Sequence, residues 1–268
     1  MTRAVELSRK TAASGVTVLL LGESGVGKEV FARSIHTWSE RRSAPFIVIN
    51  CVGLSRELLE SELFGHEKGA FTGAHRLKKG KLELADRGTV LLDEVGDISQ
   101  ELQTKLLRFL QERDFERVGG TKSISVDVRI IAATNRDLEA AVKEGRFRED
   151  LYHRLNVVPI TLPPLRERRE DIPALAHFFL ERFARETKKA FVEITPDALE
   201  RLSRYGWPGN VRELGNVMER AIVLGSPPRV TLEDLPPRVI APESPAGAEA
   251  TSYATAVNAY RRQIIVTA

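Results

Sequence analysis

An apolar run, Val16–Leu21, is followed at once by Gly22-Glu23-Ser24-Gly25-Val26-Gly27-Lys28 and then by a segment of helical pattern. No other stretch of this chain restricts its fold so sharply. The spacing is G-x-x-x-x-G-K, and strand, glycine-rich turn and helix in that order are the setting this phosphate-binding motif requires. Glycines let the backbone turn tightly and aim successive N–H groups at phosphate oxygens. The N-terminus of the following helix adds partial positive charge, and Lys28 adds a full one within reach of the β- and γ-phosphates. The plainer alternative is a glycine-rich turn with no ligand. Its position directly after a buried-type strand favours phosphate binding through Gly22, Glu23, Ser24, Gly25, Val26, Gly27 and Lys28. A Ser or Thr ordinarily follows the lysine to ligate magnesium; here the residue is Glu29.

Four further apolar runs, Phe46–Asn50, Thr89–Leu92, Val128–Thr134 and Val157–Leu162, join Val16–Leu21. They are nearly continuous rather than alternating, as expected of parallel strands covered on both faces. Helical patterns lie between them; Leu102, Leu106 and Leu110, for example, share one face of the segment 101–111. The alternation predicts a doubly wound α/β domain with a five-stranded parallel sheet. After Leu162 the pattern changes. Pro163 and Pro164 precede a charged run, and Ile172, Leu175, Ala176, Phe179, Leu180 and Phe183 then form an amphipathic stripe. Thr195-Pro196 reads as a helix start with an N-cap hydroxyl, Trp207–Asn210 as a turn, and Val211–Val223 as another helix. No strand pattern appears there, so a small all-α domain is predicted. From about Pro236 the composition is that of a linker.

Thr89-Val90-Leu91-Leu92-Asp93-Glu94 is an apolar strand that ends in two carboxylates. Ligands of open α/β sheets sit at the carboxyl ends of the strands. Asp93 is therefore the candidate to hold Mg2+, and Glu94 the candidate to orient and polarise an attacking water. The alternative is an exposed acidic turn. A single cysteine, Cys51, excludes an internal disulfide and fits a reducing cytoplasm. No apolar run approaches the roughly 18 residues of a membrane span. The first ten residues lack the apolar stretch of a signal peptide. A net charge of +3 neither requires nor excludes nucleic acid. The five histidines have no metal-ligand spacing.

The segment Gly69-Ala70-Phe71-Thr72-Gly73-Ala74, preceded by Glu62-Leu63-Phe64-Gly65-His66-Glu67, resembles the signature loop of bacterial enhancer-binding proteins, the AAA+ activators of sigma-54. The phosphate loop, with Glu29 after its lysine, is similar to that family's version, which removes the difficulty there and implies that Glu29 belongs to the nucleotide site. The resemblance spans about residues 15 to 238. It implies an AAA+ three-layer sandwich over residues 1–165, a helical lid over 166–238, and an ATPase using ATP and Mg2+. Residues 239–268 would hold a linker and, at Tyr253–Arg262, part of the first helix of a Fis-like DNA-binding domain. Members of the family usually add an N-terminal sensory domain and a C-terminal helix-turn-helix, and neither is expected to be complete in this sequence. DNA contact would run through such a domain, with little sequence-specific binding by the chain itself.

By the same resemblance, Phe71 and Thr72 contact sigma-54 within RNA polymerase. A glycine- and alanine-flanked loop that carries an exposed aromatic suits such a grip; a Phe71 packed into the core is the alternative. Asn50 resembles the partner of Glu94 that couples the γ-phosphate to the loop, against a plainer reading as a turn cap. Thr134-Asn135 resembles sensor I. Arg148 and Arg154, in Gly145–Leu155, resemble arginine fingers that enter a neighbouring subunit's site in a hexameric ring; surface pairing with Glu149 and Asp150 is the alternative. Arg212, in Trp207–Leu214, resembles sensor II and would reach the nucleotide from the lid.

Overall fold

A computed structural model describes residues 1–241 of the chain. The helix expected at Tyr253–Arg262 lies outside the described residues. The strands are β1 (Val18–Leu21), β2 (Phe46–Asn50), β3 (Gly65–His66), β4 (Lys78–Lys79), β5 (Thr89–Asp93), β6 (Asp114–Glu116), β7 (Ser123–Ser125), β8 (Arg129–Thr134), β9 (Val158–Thr161), β10 (Glu193–Ile194) and β11 (Arg229–Val230). The α-helices are α1 (Thr2–Ala12), α2 (Lys28–Thr37), α3 (Arg56–Phe64), α4 (Lys81–Leu84), α5 (Gln100–Glu112), α6 (Leu138–Lys143), α7 (Glu149–Leu155), α8 (Ile172–Thr187), α9 (Pro196–Arg204), α10 (Asn210–Leu224) and α11 (Pro237–Ile240). None among the described residues is long and apolar enough to cross a membrane.

The described residues divide into two compact units, the first comprising Met1–Arg168 with Gly209–Arg212 and the second Arg169–Pro208 with residues 213–241. The first unit is built on a parallel sheet of order β2-β5-β8-β1-β9. Successive side chains of a strand point to opposite faces, and both faces are covered. Val18, Leu20, Leu91, Ile131 and Ala133 pack with Ala32 and Ile35 of α2 and Ala4 and Ala12 of α1. Leu19, Ile49, Val90, Leu92, Ile130 and Ala132 pack with Leu63, Leu102, Leu106, Leu138 and Leu151 from α3, α5, α6 and α7. Burial on both faces is why the strands are continuously apolar, and it gives the three-layer sandwich expected from the sequence.

Register fixes where the chemistry falls. Asn50 lies beside Asp93, and Leu21 beside Thr134. The phosphate loop, the acidic pair, Asn50 and Thr134-Asn135 therefore share the C-terminal edge of one sheet. Two short antiparallel hairpins, β3–β4 and β6–β7, carry loops that meet each other.

The second unit is helical. Ile172, Ala176, Leu180 and Phe183 of α8 and Ala198 and Leu202 of α9 are buried. Trp207 is wholly buried and donates its indole N–H to the Leu202 carbonyl at 2.8 Å. Lys189 Nζ closes the end of α10 on the carbonyls of Ile222 (3.1 Å) and Val223 (2.7 Å). Two features differ from expectation. β10 and β11 form a parallel pair only two residues long, too short to leave a periodic trace in sequence. Thr195 takes N-cap dihedrals ahead of α9, but its hydroxyl makes no cap bond.

Candidate active site

The phosphate loop leaves β1 and closes on α2, whose N-cap is Gly27. Lys28 is 6% exposed. Its Nζ lies 2.9 Å from the Gly22 carbonyl, 3.4 Å from that of Glu23, and 3.2 Å from Glu94 Oε1. Gly25 has φ +79°, and an added Cβ there would collide with the Gly209 carbonyl, so only glycine fits. Glu29 points outward and pairs with Arg33 one turn along α2 at 2.9 Å.

Glu23 and Ser24 are held from outside the loop. Arg166 grips the Glu23 carboxylate with both terminal nitrogens, at 2.9 and 2.6 Å. Asn210 Nδ2 donates to Glu23 Oε2 at 3.0 Å and to the Ser24 carbonyl at 3.1 Å. The Arg166 bond first, then the Asn210 bond, lowers the Glu23 pKa to about 2. Arg212 donates to Ser24 Oγ at 2.8 Å, and its N–H reaches the Gly25 carbonyl at 3.3 Å. Arg168 donates to the Val26 carbonyl at 2.9 Å. Of these, the sequence singled out only Arg212. Arg166 and Arg168 carry no motif signal of their own, and Asn210, which has φ +53°, lies within the Trp207–Leu214 segment, where Arg212 alone had an expected role.

Asp93 and Glu94 end β5. Burial, and then the neighbouring Glu94 charge, raise the Asp93 pKa above the usual aspartate value, partly opposed by Lys28. Asp93 Oδ1 is buried without a hydrogen-bond partner. A hard anionic oxygen of this kind fits a divalent cation, so the donor chemistry is compatible with Mg2+ at Asp93. Glu94 sits in the left-handed region at φ +55°, a strained setting for glutamate. It is fixed by accepting the Asn135 N–H on Oε2 at 2.9 Å, opposite the Lys28 contact on Oε1. Thr134 is fully buried, with its hydroxyl accepting the Arg136 N–H at 3.0 Å and its carbonyl the Gly22 N–H at 3.4 Å. Asn50 Oδ1 accepts the Val52 N–H at 2.9 Å, which is the turn-capping geometry; it makes no bond to Glu94. Buried Cys51, beside Asp93, has its thiol pushed up to about 12 by desolvation and that charge, so it is inert as a nucleophile.

Arg148, the N-cap of α7, pairs with Asp150 at 2.7 Å, and Arg154 within that helix donates to the Leu110 carbonyl at 3.1 Å. Neither bonds to the phosphate loop of its own chain among the described residues.

The loop Gly69–Ala74 closes on itself through Gly69 N–H to Ala74 O at 2.8 Å. Phe71 is half-buried, not exposed as the sequence suggested, because its ring packs edge-on against His66 at 4.9 Å. Thr72 and Gly73 are exposed, Ala70 is half-buried and Ala74 buried. The turn after β6 braces this loop: Glu67 N–H bonds the Val118 carbonyl at 3.0 Å, and Arg117 bonds Glu67 and Glu83, each at 2.8 Å.

A phosphate loop facing paired carboxylates at the carboxyl edge of such a sheet, with residues 166–252 matching the AAA+ ATPase lid domain, makes this an AAA+ ATPase. Residues 1–161 match the sigma-54 interaction domain, more than half of the sequence, and the chain belongs to that family. The regulatory protein AtoC of Escherichia coli (strain K12) is 58% identical over 238 residues, 89% of this chain and 52% of that protein. The Nif-specific regulatory protein of Herbaspirillum seropedicae is 60% identical over 215 residues, 80% of this chain and 40% of that protein. NtrX from Brucella abortus, solved in complex with ADP, is similar at a TM-score of 0.81 and 42% identity, over 91% of this chain and 55% of that one. The chain thus spans about half the length of the curated relatives it matches.

Proposed function

We propose that this chain binds ATP with Mg2+, hydrolyses it, and couples turnover to the Gly69–Ala74 loop, which engages sigma-54 and remodels its RNA polymerase at the closed promoter complex. The observation that carries the reading is the position of Glu94, held between Lys28 of the phosphate loop and the Asn135 N–H at the end of β8. Phosphate is a stronger partner for Lys28 than Glu94 is, so nucleotide entry separates that pair. Glu94 Oε1 is then available to accept a proton from water, while Asn135 keeps the carboxylate aimed. Magnesium held by Asp93 would neutralise charge on the phosphates and orient them.

Arg148 and Arg154 act on the site of a neighbouring copy in a ring, which the family's hexamers suggest. Their own carboxylate and carbonyl partners are weak enough to exchange for phosphate. Arg212 reports nucleotide to the lid through Ser24. Asn50 and Thr134, on the same sheet edge, would transmit the state of Glu94 once nucleotide is bound. The setting is the cytoplasm.

The test is capture of purified sigma-54 by the protein with ADP and aluminium fluoride, which mimic the hydrolysis transition state. Wild type should capture sigma-54 only with the mimic, and Thr72→Ala should hydrolyse ATP yet capture none. An active ATPase that captures no sigma-54 under any nucleotide condition would overturn the partner assignment.

A further inference from the structure

Glu23 is a phosphate-loop residue whose side chain is engaged by the protein itself. Both of its carboxylate oxygens are occupied, by Arg166 and by Asn210. Asn210 is fully buried, and both polar atoms of its side chain are used. Its amide nitrogen donates to Glu23 and to the Ser24 carbonyl, and its oxygen accepts the Leu165 N–H at 2.8 Å. The left-handed backbone at Asn210 is one that asparagine tolerates better than most residues. A buried side chain saturated in this way in a strained conformation fixes its neighbours closely. What it fixes is the Glu23–Gly25 backbone, the stretch whose N–H groups must point at phosphate.

We propose that Glu23, Arg166 and Asn210 form a clamp that pre-sets the phosphate loop for nucleotide, making Asn210 and Arg166 positioning residues for ATP binding. The proposal rests on the reading of this site as an ATP site and goes beyond it, because the bonds of both side chains run to the protein's own groups. Without the clamp, the loop's flexibility would be lost only when ATP binds, and affinity would fall by that ordering cost. Arg166 keeps Glu23 ionised through the physiological range, so the clamp does not switch with pH there.

Asn210→Asp is the sharpest probe. It keeps size and left-handed tolerance, but sets a carboxylate against the Glu23 carboxylate and the Ser24 carbonyl. Binding of a fluorescent ATP analogue should weaken by about 10- to 100-fold, with a much smaller loss of kcat at saturation. In Glu23→Gln/Asn210→Asp, the Gln amide can donate to the new carboxylate, and about 5-fold or more of the affinity should return, a non-additivity expected only of directly bonded partners. Thermal melts run alongside identify any unfolded variant.

Affinity within about 2-fold of wild type in Asn210→Asp, or a loss that the second substitution fails to recover, overturns the clamp. Wild-type protein is titrated in parallel. If it binds no ATP analogue, the ATP-site reading falls and the clamp with it. If wild type binds and the variants bind equally well, only the clamp falls.

Discussion

At the scale of single residues, the site is held at some expense to stability. Asp93 sits in a place that disfavours its charge, since burial and then Glu94 raise its pKa. A carboxyl with a raised native value makes the folded state less stable at neutral pH than it would be with a neutral group there, because the unfolded chain ionises more readily. Asp93→Asn keeps the shape and removes the charge. The expected result is a more stable nucleotide-free protein, seen as a higher melting temperature, together with ATPase activity at background. A variant that melts lower and still turns over would sink the assignment of Asp93.

Glu23 has the opposite sign. Its pKa is lowered from 4.5 to about 2 by Arg166 and then Asn210, so its contribution is fully present above pH 4.5 and is lost as pH falls through about 2. Half-exposure makes that contribution smaller than the bare shift suggests. Urea melts of wild type and Glu23→Gln should differ at pH 7 and converge toward pH 2. A difference that stays constant with pH would mean the Glu23 charge is not what the loop responds to.

At the scale of elements, the 69–74 loop depends on the turn that braces it. Gly119 has φ +75°, and a Cβ there would come within 2.7 Å of Ala70 Cβ. Gly119→Val must therefore displace the loop while leaving the sheet edge untouched. The expected outcome is ATP turnover within about 3-fold of wild type but capture of sigma-54 with ADP–aluminium fluoride reduced by about 10-fold or more. Unchanged capture would show that the brace does not set the loop's working position.

This is also the scale at which sequence and structure part. The five sheet strands were legible because burial on both faces writes a continuous apolar run; Phe46–Asn50 has the same limits in both, and the others differ by one or two residues at their ends. The phosphate loop and acidic pair were legible because they sit at fixed offsets from those runs. The hairpins at 65–79 and 114–125 were not, since strands of two or three residues carry no period. Partners far apart in sequence were also hidden. Glu23 and Asn210 are 187 residues apart, and nothing local in either links them. Arg129 opens a buried strand and is 2% exposed, bonded to the carbonyls of Thr11 and Ala12 that end α1. In sequence it is a charge beside an apolar run, and only the fold supplies the helix end that favours a cation there.

At the scale of the whole molecule, the question is whether one chain holds a complete site. Lys28, Asp93, Glu94 and Asn135 are gathered on one sheet edge, while Arg148 and Arg154 are bonded elsewhere on the surface. If those arginines serve a neighbour, then Glu94→Ala and Arg154→Ala damage different halves of a shared site. Each variant alone should be inactive. When they are mixed in equal amounts under conditions that allow exchange, an interface works where an Arg154→Ala subunit, with its Glu94 intact, meets a Glu94→Ala subunit that supplies Arg154. Random mixing around a closed ring makes that combination about one interface in four, so about a quarter of the wild-type ATPase rate should return. The recovered rate should also fall on dilution, because it depends on assembly. If the mixture stays as inactive as its components while wild type hydrolyses ATP at the same concentration, Arg154 belongs to its own subunit's architecture, and the catalytic cation must be sought among other residues.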